Sequence, residues 1–201
     1  MAWTAIKAGE LYPSAHFTSL RGALVAAAQA LYILGPDDAS TRRRRGLAVI
    51  VESYRRLRQF HADCLGLPDL SDGEKEAVQK QLNWLDSRIE SAVAAGADTS
   101  GLKLTGAVIP YAAAYVYGAT PELEKSLNLQ WRQMSGDAHA LGWALTLRAT
   151  LGPPRPGEPL TSGTAGGSLE DIAQPFEASY RLLKAGWSLF DRRCEARQKN
   201  N

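Results

Sequence analysis

Leu20, Leu24, Ala27, Leu31 and Leu34 follow one another at intervals of four, three, four and three residues. The recurrence of that spacing constrains the fold more than anything else in the chain. A helix advances about 100° per residue, so positions three and four apart share a face. A strand would place its apolar residues at every second position, and such alternation is nearly absent. The chain therefore reads as all-α.

The first helix is expected over about residues 17–34, stopped by Gly35-Pro36. A second begins near Asp37 or Asp38, whose carboxylates suit the positive end of a helix dipole. It runs to about Leu65 on a stripe of Leu47, Ile50, Tyr54, Leu57, His61 and Cys64. After the turn "GLPDLSDGEKE", a third helix covers about 72–95, with Val78, Leu82, Leu85, Ile89 and Ala92 inward and Gly96 as its end. Residues 96–120 are broken by Gly and Pro, and their middle reads as a short helix with a brief extended piece at "AVI". Thr120 can cap the fourth long helix and Pro121 fits its first turn. Its stripe, Leu127, Trp131, Met134, Ala138, Leu141 and Leu145, carries it to about Ala149. "LGPPRPGEPLTSGTAGGS" gives a flexible loop at about 151–168. The last helix opens at Ser168, where "SLED" forms a capping box with Asp171. Its stripe is Leu169, Ile172, Phe176, Tyr180, Leu183, Trp187, Phe190 and Cys194, and Pro175 should kink or delay it.

Helices with one apolar stripe each bury them most economically against one another. The expectation is a single domain over residues 1–201: an antiparallel bundle of four to five long helices with a Pro/Gly-rich loop before the last. With 201 residues, 45% of them hydrophobic, the chain can bury a core without metals or disulfides.

A net charge of +2 excludes a surface that is basic as a whole, but "TRRRRG" concentrates Arg42, Arg43, Arg44 and Arg45. Arg42, Arg43 and Arg45 are therefore candidate phosphate contacts. The alternative is a solvated helix turn salted by Asp37 and Asp38, since four consecutive positions span a full turn and cannot face one ligand. Cys64 and Cys194 lie far apart on apolar faces and read as reduced core thiols. The N-terminal "MAWTAIKAGELYPSAHF" lacks the charged start and apolar run of a signal peptide. "ALVAAAQALYIL" is too short to span a bilayer and is interrupted by Gln29. These readings point to a cytoplasmic protein with no membrane contact. His61 reads as a satisfied core residue and His16 as a capping or exposed one. The histidines show no ligand spacing with carboxylates, so neither a metal site nor a cofactor is expected.

"WRQMSGDAHALGW" carries the strongest polar pattern. Arg132 and His139 are seven residues apart, hence about 20° apart in angle and two turns apart in height. Ser135 lies between them, and Asn128 and Thr146 extend the line. The line sits roughly 110° round from the core stripe, on a flank that another helix or subunit can cover. Gly136 and Gly142 interrupt the helix at a cost of about 1 kcal/mol each, which asks for tight packing or room for a ligand.

An arginine and a histidine in R-QMSGDA-H spacing, on the fourth long helix of an all-α chain, resemble the R-x4–6-H motif of the HEPN superfamily. The resemblance implies a metal-independent endoribonuclease of toxin or defence type, or an inactivated relative. It also implies a homodimer with the two motifs facing a shared cleft. RNA would be the substrate, and an antitoxin or another protein a partner. His139 would act as base or acid and Arg132 as phosphate clamp, with Asn128 or Ser135 orienting phosphate or imidazole. The chemistry is coherent. Cleavage without metal needs a base that titrates near neutrality and a fixed bidentate cation for the developing charge. Two other readings stay open. Arg132 could pair with a carboxylate such as Glu52, with His139 a half-buried polar residue. The chain could equally be a non-catalytic helical module that binds another protein.

Overall fold

The computed structural model describes residues 4, 7–8, 12–98, 100–153, 157 and 161–198. The chain is mostly helical, as its periodicity requires. Its helices are α1 (Pro13–Leu34), α2 (Ala39–Cys64), α3 (Asp72–Ala94), α4 (Ile109–Tyr117), α5 (Pro121–Ala138), α6 (Gly142–Thr146) and α7 (Leu169–Gln198). A π-type turn over Leu104–Val108 leads into α4, so "AVI" is helical rather than extended. The strands β1 (Ala149–Leu151) and β2 (Gly163–Ala165) pair antiparallel, with Thr150 opposite Thr164. They occupy the ends of the segment read as a flexible loop, of which residues 154–156 and 158–160 lie outside the described residues.

The chain divides into two compact units, residues 32–107 and residues 1–31 with 108–201. The first of these is a helical hairpin of α2 and α3. Asp38 caps α2 by accepting hydrogen bonds from the Ser40 and Thr41 backbone N–H groups at 3.3 and 2.7 Å. Hydrogen bonds from the Ser40 and Thr41 side chains, and after them these backbone bonds, hold its carboxyl well below the usual range. Ser71 and Glu74 form a reciprocal capping box on α3. Leu82, Leu85 and Ala92 of the expected α3 stripe are buried. On α2 the expected stripe is only partly covered: Val51 is buried, Leu47, Tyr54, His61 and Cys64 are half-buried, and Ile50 and Leu57 are exposed. Within this unit α2 has one long neighbour, so only the line facing α3 is sealed. Across that line Tyr54 meets Trp84 edge to face at 5.7 Å, and the Arg58 guanidinium pairs with both oxygens of Asp86.

In the other unit, Phe17, Leu24, Ala27, Ala28 and Leu31 form the inner face of α1. The Ser179 hydroxyl of α7 donates to the Leu20 carbonyl at 3.3 Å and to Pro175 of its own helix at 2.8 Å. His16, read as a capping or exposed residue, is 3% exposed, and its Nδ1 lies 2.7 Å from the Tyr12 carbonyl oxygen. At 22 residues and a mean hydropathy of 1.4, α1 is long and apolar enough to cross a membrane, with 28% of its most apolar window buried inside the protein. The stretch that looked too short, residues 23–34, is extended at its N-terminal end by the first ten residues of the helix, 13–22.

The last helix departs most from expectation. Ser168 and Asp171 do form its capping box, at 2.7 and 3.2 Å. Pro175 neither ends nor delays it and is itself buried. The buried line is Ile172, Ala178, Ser179, Leu182, Gly186 and Leu189. All of the expected stripe except Ile172 faces solvent, including Cys194. The helix carries two apolar lines, and the one with the smaller side chains allows closer approach to the neighbouring helices.

The depressed carboxyl of Asp86 gives a pH signature. The Arg58 hydrogen bond lowers its folded pKa, burial opposes it, and the charge of Arg58 lowers it further. The pair therefore stabilises the fold above the unfolded carboxyl value of about 3.9, and that contribution fades as pH falls through the folded value. In urea unfolding from neutral to acid pH, wild type should exceed Asp86→Asn at neutral pH. The gap should close progressively below about pH 4.

Candidate functional site

The motif helix α5 ends at Ala138, far short of Ala149. His139 is its C-cap residue, with φ −98° and ψ 9°. Ala140 follows at φ 52°, in the left-handed region. The Ala140 N–H donates to the Asp137 carbonyl at 3.0 Å, and the Leu141 N–H to Gly136 at 2.9 Å. These two bonds make a Schellman end, the usual closure around a left-handed residue. The chain then turns back as α6. Gly136 makes this return tight: a Cβ there would stand 2.6 Å from the Trp143 ring and 2.8 Å from the Ala144 Cβ. The glycine is thus explained by packing. Leu127, Trp131 and Met134 stay buried, while Leu141 and Leu145, beyond the helix end, are exposed.

A desolvated ion pair locks the reversal. Arg148 and Asp137 side chains are 5% and 3% exposed, with Nη1 and Nη2 donating to the two carboxylate oxygens at 2.8 and 2.5 Å. The Ser14 hydroxyl, at the start of α1, donates to the same carboxylate at 3.0 Å. The Arg148 guanidinium lies 4.9 Å from the Phe17 ring centroid.

On this frame Arg132 and His139 are both exposed, and neither side chain has a hydrogen bond or ion pair among the described residues. Their separation along the helix axis is about 10 Å. Ser135 is half-buried and accepts a hydrogen bond from Arg21 Nε at 3.1 Å. The Arg21 guanidinium also covers Trp131, 4.8 Å from its ring centroid. Arg21 therefore sits on the inner edge of the polar line and leaves Arg132 and His139 on the outer edge. Asn128 donates to the Glu124 carbonyl of its own helix at 2.9 Å. Arg21 was missed in the sequence, although an arginine between Phe17 and Leu24 on an apolar face signals a buried or covered cation. Glu52 pairs with Arg56 on its own helix at 2.8 Å.

The arginine run lies in the other unit. Arg42 donates to the Pro36 and Asp37 carbonyls at 2.8 and 2.6 Å, and Arg45 to the Tyr32 carbonyl at 2.8 Å. Both thus serve carbonyls at and beyond the end of α1, which lack partners within the helix. Arg44 donates to the Thr41 hydroxyl at 3.2 Å. Arg43 is exposed, and its side chain forms no hydrogen bond or ion pair among the described residues.

A separate cleft of about 270 Å³ opens between α5 and α7, lined in part by Tyr117, Gln130, Glu177 and Arg181. Burial raises the Tyr117 phenol above its ordinary value, Arg181 nearby pulls it down, and Glu177 pushes it up. Glu177 holds Arg181 at 2.6 Å. No group of three or more metal-ligating side chains forms among the described residues. No known protein family matches the chain, nor does any curated protein or solved structure.

Two stability measurements test this frame. Ala140→Gly relieves the left-handed alanine and should raise stability by about 1 kcal/mol in urea unfolding. Arg148→Ala strands a buried carboxylate and should cost about 3–5 kcal/mol, with Asp137→Ala/Arg148→Ala costing less than the two single changes added.

Proposed function

We propose that the chain is a HEPN-like, metal-independent endoribonuclease, with Arg132 and His139 as its reactive pair. One observation carries the reading: the side chains of an arginine and a histidine stand exposed and uncommitted over the C-terminal half of α5 and its cap, while the polar groups beside them are already engaged. His139 takes the proton from a ribose 2′-hydroxyl. That oxygen attacks the adjacent phosphorus, the 5′-oxygen leaves, and the proton is delivered to it. The products are a 2′,3′-cyclic phosphate and a 5′-hydroxyl. Arg132 clamps the non-bridging oxygens as charge develops on them. Ser135 and Asn128 border the phosphate path, and Arg21 holds Ser135 in place. The proposal includes the bundle architecture, homodimer, antitoxin-type partner and cytoplasmic setting that the resemblance and the sequence imply.

A second reading, a non-catalytic interaction module, is favoured by the apolar line that α7 presents to solvent. In that case Arg132 and His139 are surface residues without chemistry.

Labelled RNA incubated with the protein in EDTA separates the two. The nuclease reading expects cyclic-phosphate ends and full protection of DNA, which lacks the 2′-hydroxyl. Arg132→Ala and His139→Ala should each lower the rate by about a hundredfold or more with unfolding midpoints unchanged. Intact RNA with wild type, or equal rates in the variants, sinks the nuclease reading.

A further inference from the structure

The cleft between α5 and α7 holds a polar group that the fold leaves unserved. Gln130 lines it, and its carboxamide Nε2 donates to the Ser126 hydroxyl oxygen at 3.3 Å. Its Oε1 is buried and has no hydrogen-bond partner among the described residues. A buried acceptor without a donor is unfavourable and rare in folded proteins, so it calls for an explanation. Tyr117 lines the same cleft, half-buried, and its hydroxyl makes no hydrogen bond among the described residues. Buried Leu127 and Ala178 add apolar surface. Arg181 Nε and Nη2 both donate to Glu177 Oε1, at 2.9 and 2.6 Å, so these two charges offset each other. The other described residues that line the cleft are uncharged. Apolar walls with a few convergent polar groups are the usual form of a small-molecule site. At about 270 Å³ the cleft falls just under the roughly 300–1,000 Å³ of such sites, which limits the occupant to a compact molecule.

We infer that this cleft binds a small uncharged molecule that carries a primary or cyclic amide. The ligand N–H donates to Gln130 Oε1 and the ligand carbonyl accepts from the Tyr117 hydroxyl, so one planar group serves both open positions. The apolar body of the ligand lies against Leu127 and Ala178. Gln130 is half-buried, and the last torsion of a glutamine is broad and roughly two-fold. Its carboxamide therefore turns its oxygen from the buried position toward the ligand. Charge decides against an acid or an amine. With Glu177 and Arg181 already paired, either would bring an unneutralised charge into a partly desolvated space. The site is separate from the pair proposed for chemistry. Gln130 and Arg132 are two residues apart, which sets them about 160° apart around α5. The inference therefore stands whether or not the chain cleaves RNA.

The test uses the full chain, isotope-labelled, with benzamide and ε-caprolactam as probes. In proton–nitrogen correlation spectra each should shift the Gln130 side-chain signals and the backbone signals of Ser126 and Ala178, saturating at roughly millimolar concentration. N,N-dimethylbenzamide, which has no N–H, and benzoate, which has no N–H and carries a charge, should shift none of them at the same concentrations. Gln130→Met keeps the length of the side chain without its amide. It should match or exceed the wild-type midpoint in urea, because it removes the unpaired acceptor, and it should weaken benzamide binding about tenfold or more. Should that variant fold poorly, Tyr117→Phe serves in its place and should weaken binding about fivefold or more. Unchanged spectra with both amides overturn the inference. So do equal shifts with N,N-dimethylbenzamide or benzoate, and so does a folded variant that binds benzamide as tightly as wild type.

Discussion

The end of α5 is held by a carboxylate and a guanidinium almost out of reach of water. A pair in that position is unfavourable unless its geometry is good and its remaining lone pairs and protons are satisfied, because desolvation opposes the Coulombic gain. Here both conditions hold. Asp137 accepts from both terminal nitrogens of Arg148 and from the Ser14 hydroxyl, and the guanidinium plane finds the Phe17 ring. The three partners come from the start of α1, the end of α5 and the residue before β1. The pair thus joins segments that have little else in common, and one turn of chain separates it from His139. Whatever His139 does, its position depends on a charge two residues earlier that cannot face solvent.

That dependence also explains which helix ends could be read in advance. α3 and α5 close with the same pair of hydrogen bonds. In α3 the left-handed residue is Gly96, at φ 93°, with the Gly96 and Ala97 N–H groups returning to Val93 and Ala92. In α5 it is Ala140. Glycine announces such an end, because it enters the left-handed region without strain. Alanine does not, and the apolar spacing runs on through Leu141 and Leu145 as if the helix continued. The reversal at Ala140 is imposed from outside the helix, by the Asp137–Arg148 clasp and by Trp143 and Ala144 settling on Gly136. The clasp spans eleven residues along α5 and α6 and more than a hundred to Ser14. No local pattern encodes a contact of that range.

The breaks and inner lines of α1 and α3 were legible, since each rests on one apolar face with nothing to compete, whereas Thr120, read as the cap of α5, makes no side-chain capping bond. α7 was not. Periodicity reports that a face is apolar, and it cannot rank two such faces on one rod. Phe176 to Phe190 form the more hydrophobic line by side-chain size, which is why it reads as core. Ala178, Ser179 and Gly186 instead let the backbone of α7 approach its neighbours closely, and Ser179 reaches the Leu20 carbonyl only because it is small. Within one molecule, closeness of approach decided which line went inward. The displaced line keeps its spacing and stays exposed.

The same sorting separates the arginines. A guanidinium carries five donors in a rigid fork, so it is suited to finishing hydrogen bonds that a helix end or a buried carboxylate leaves open. Arg42 and Arg45 do so for carbonyls around the end of α1, Arg148 for Asp137, and Arg21 for Ser135 with Trp131 beneath it. Composition counts all of them as basic surface, yet a cation whose donors are engaged and whose face is stacked has little left to offer a phosphate. Arg132 differs: its side chain is exposed and makes no hydrogen bond or ion pair among the described residues, so its donors stay available.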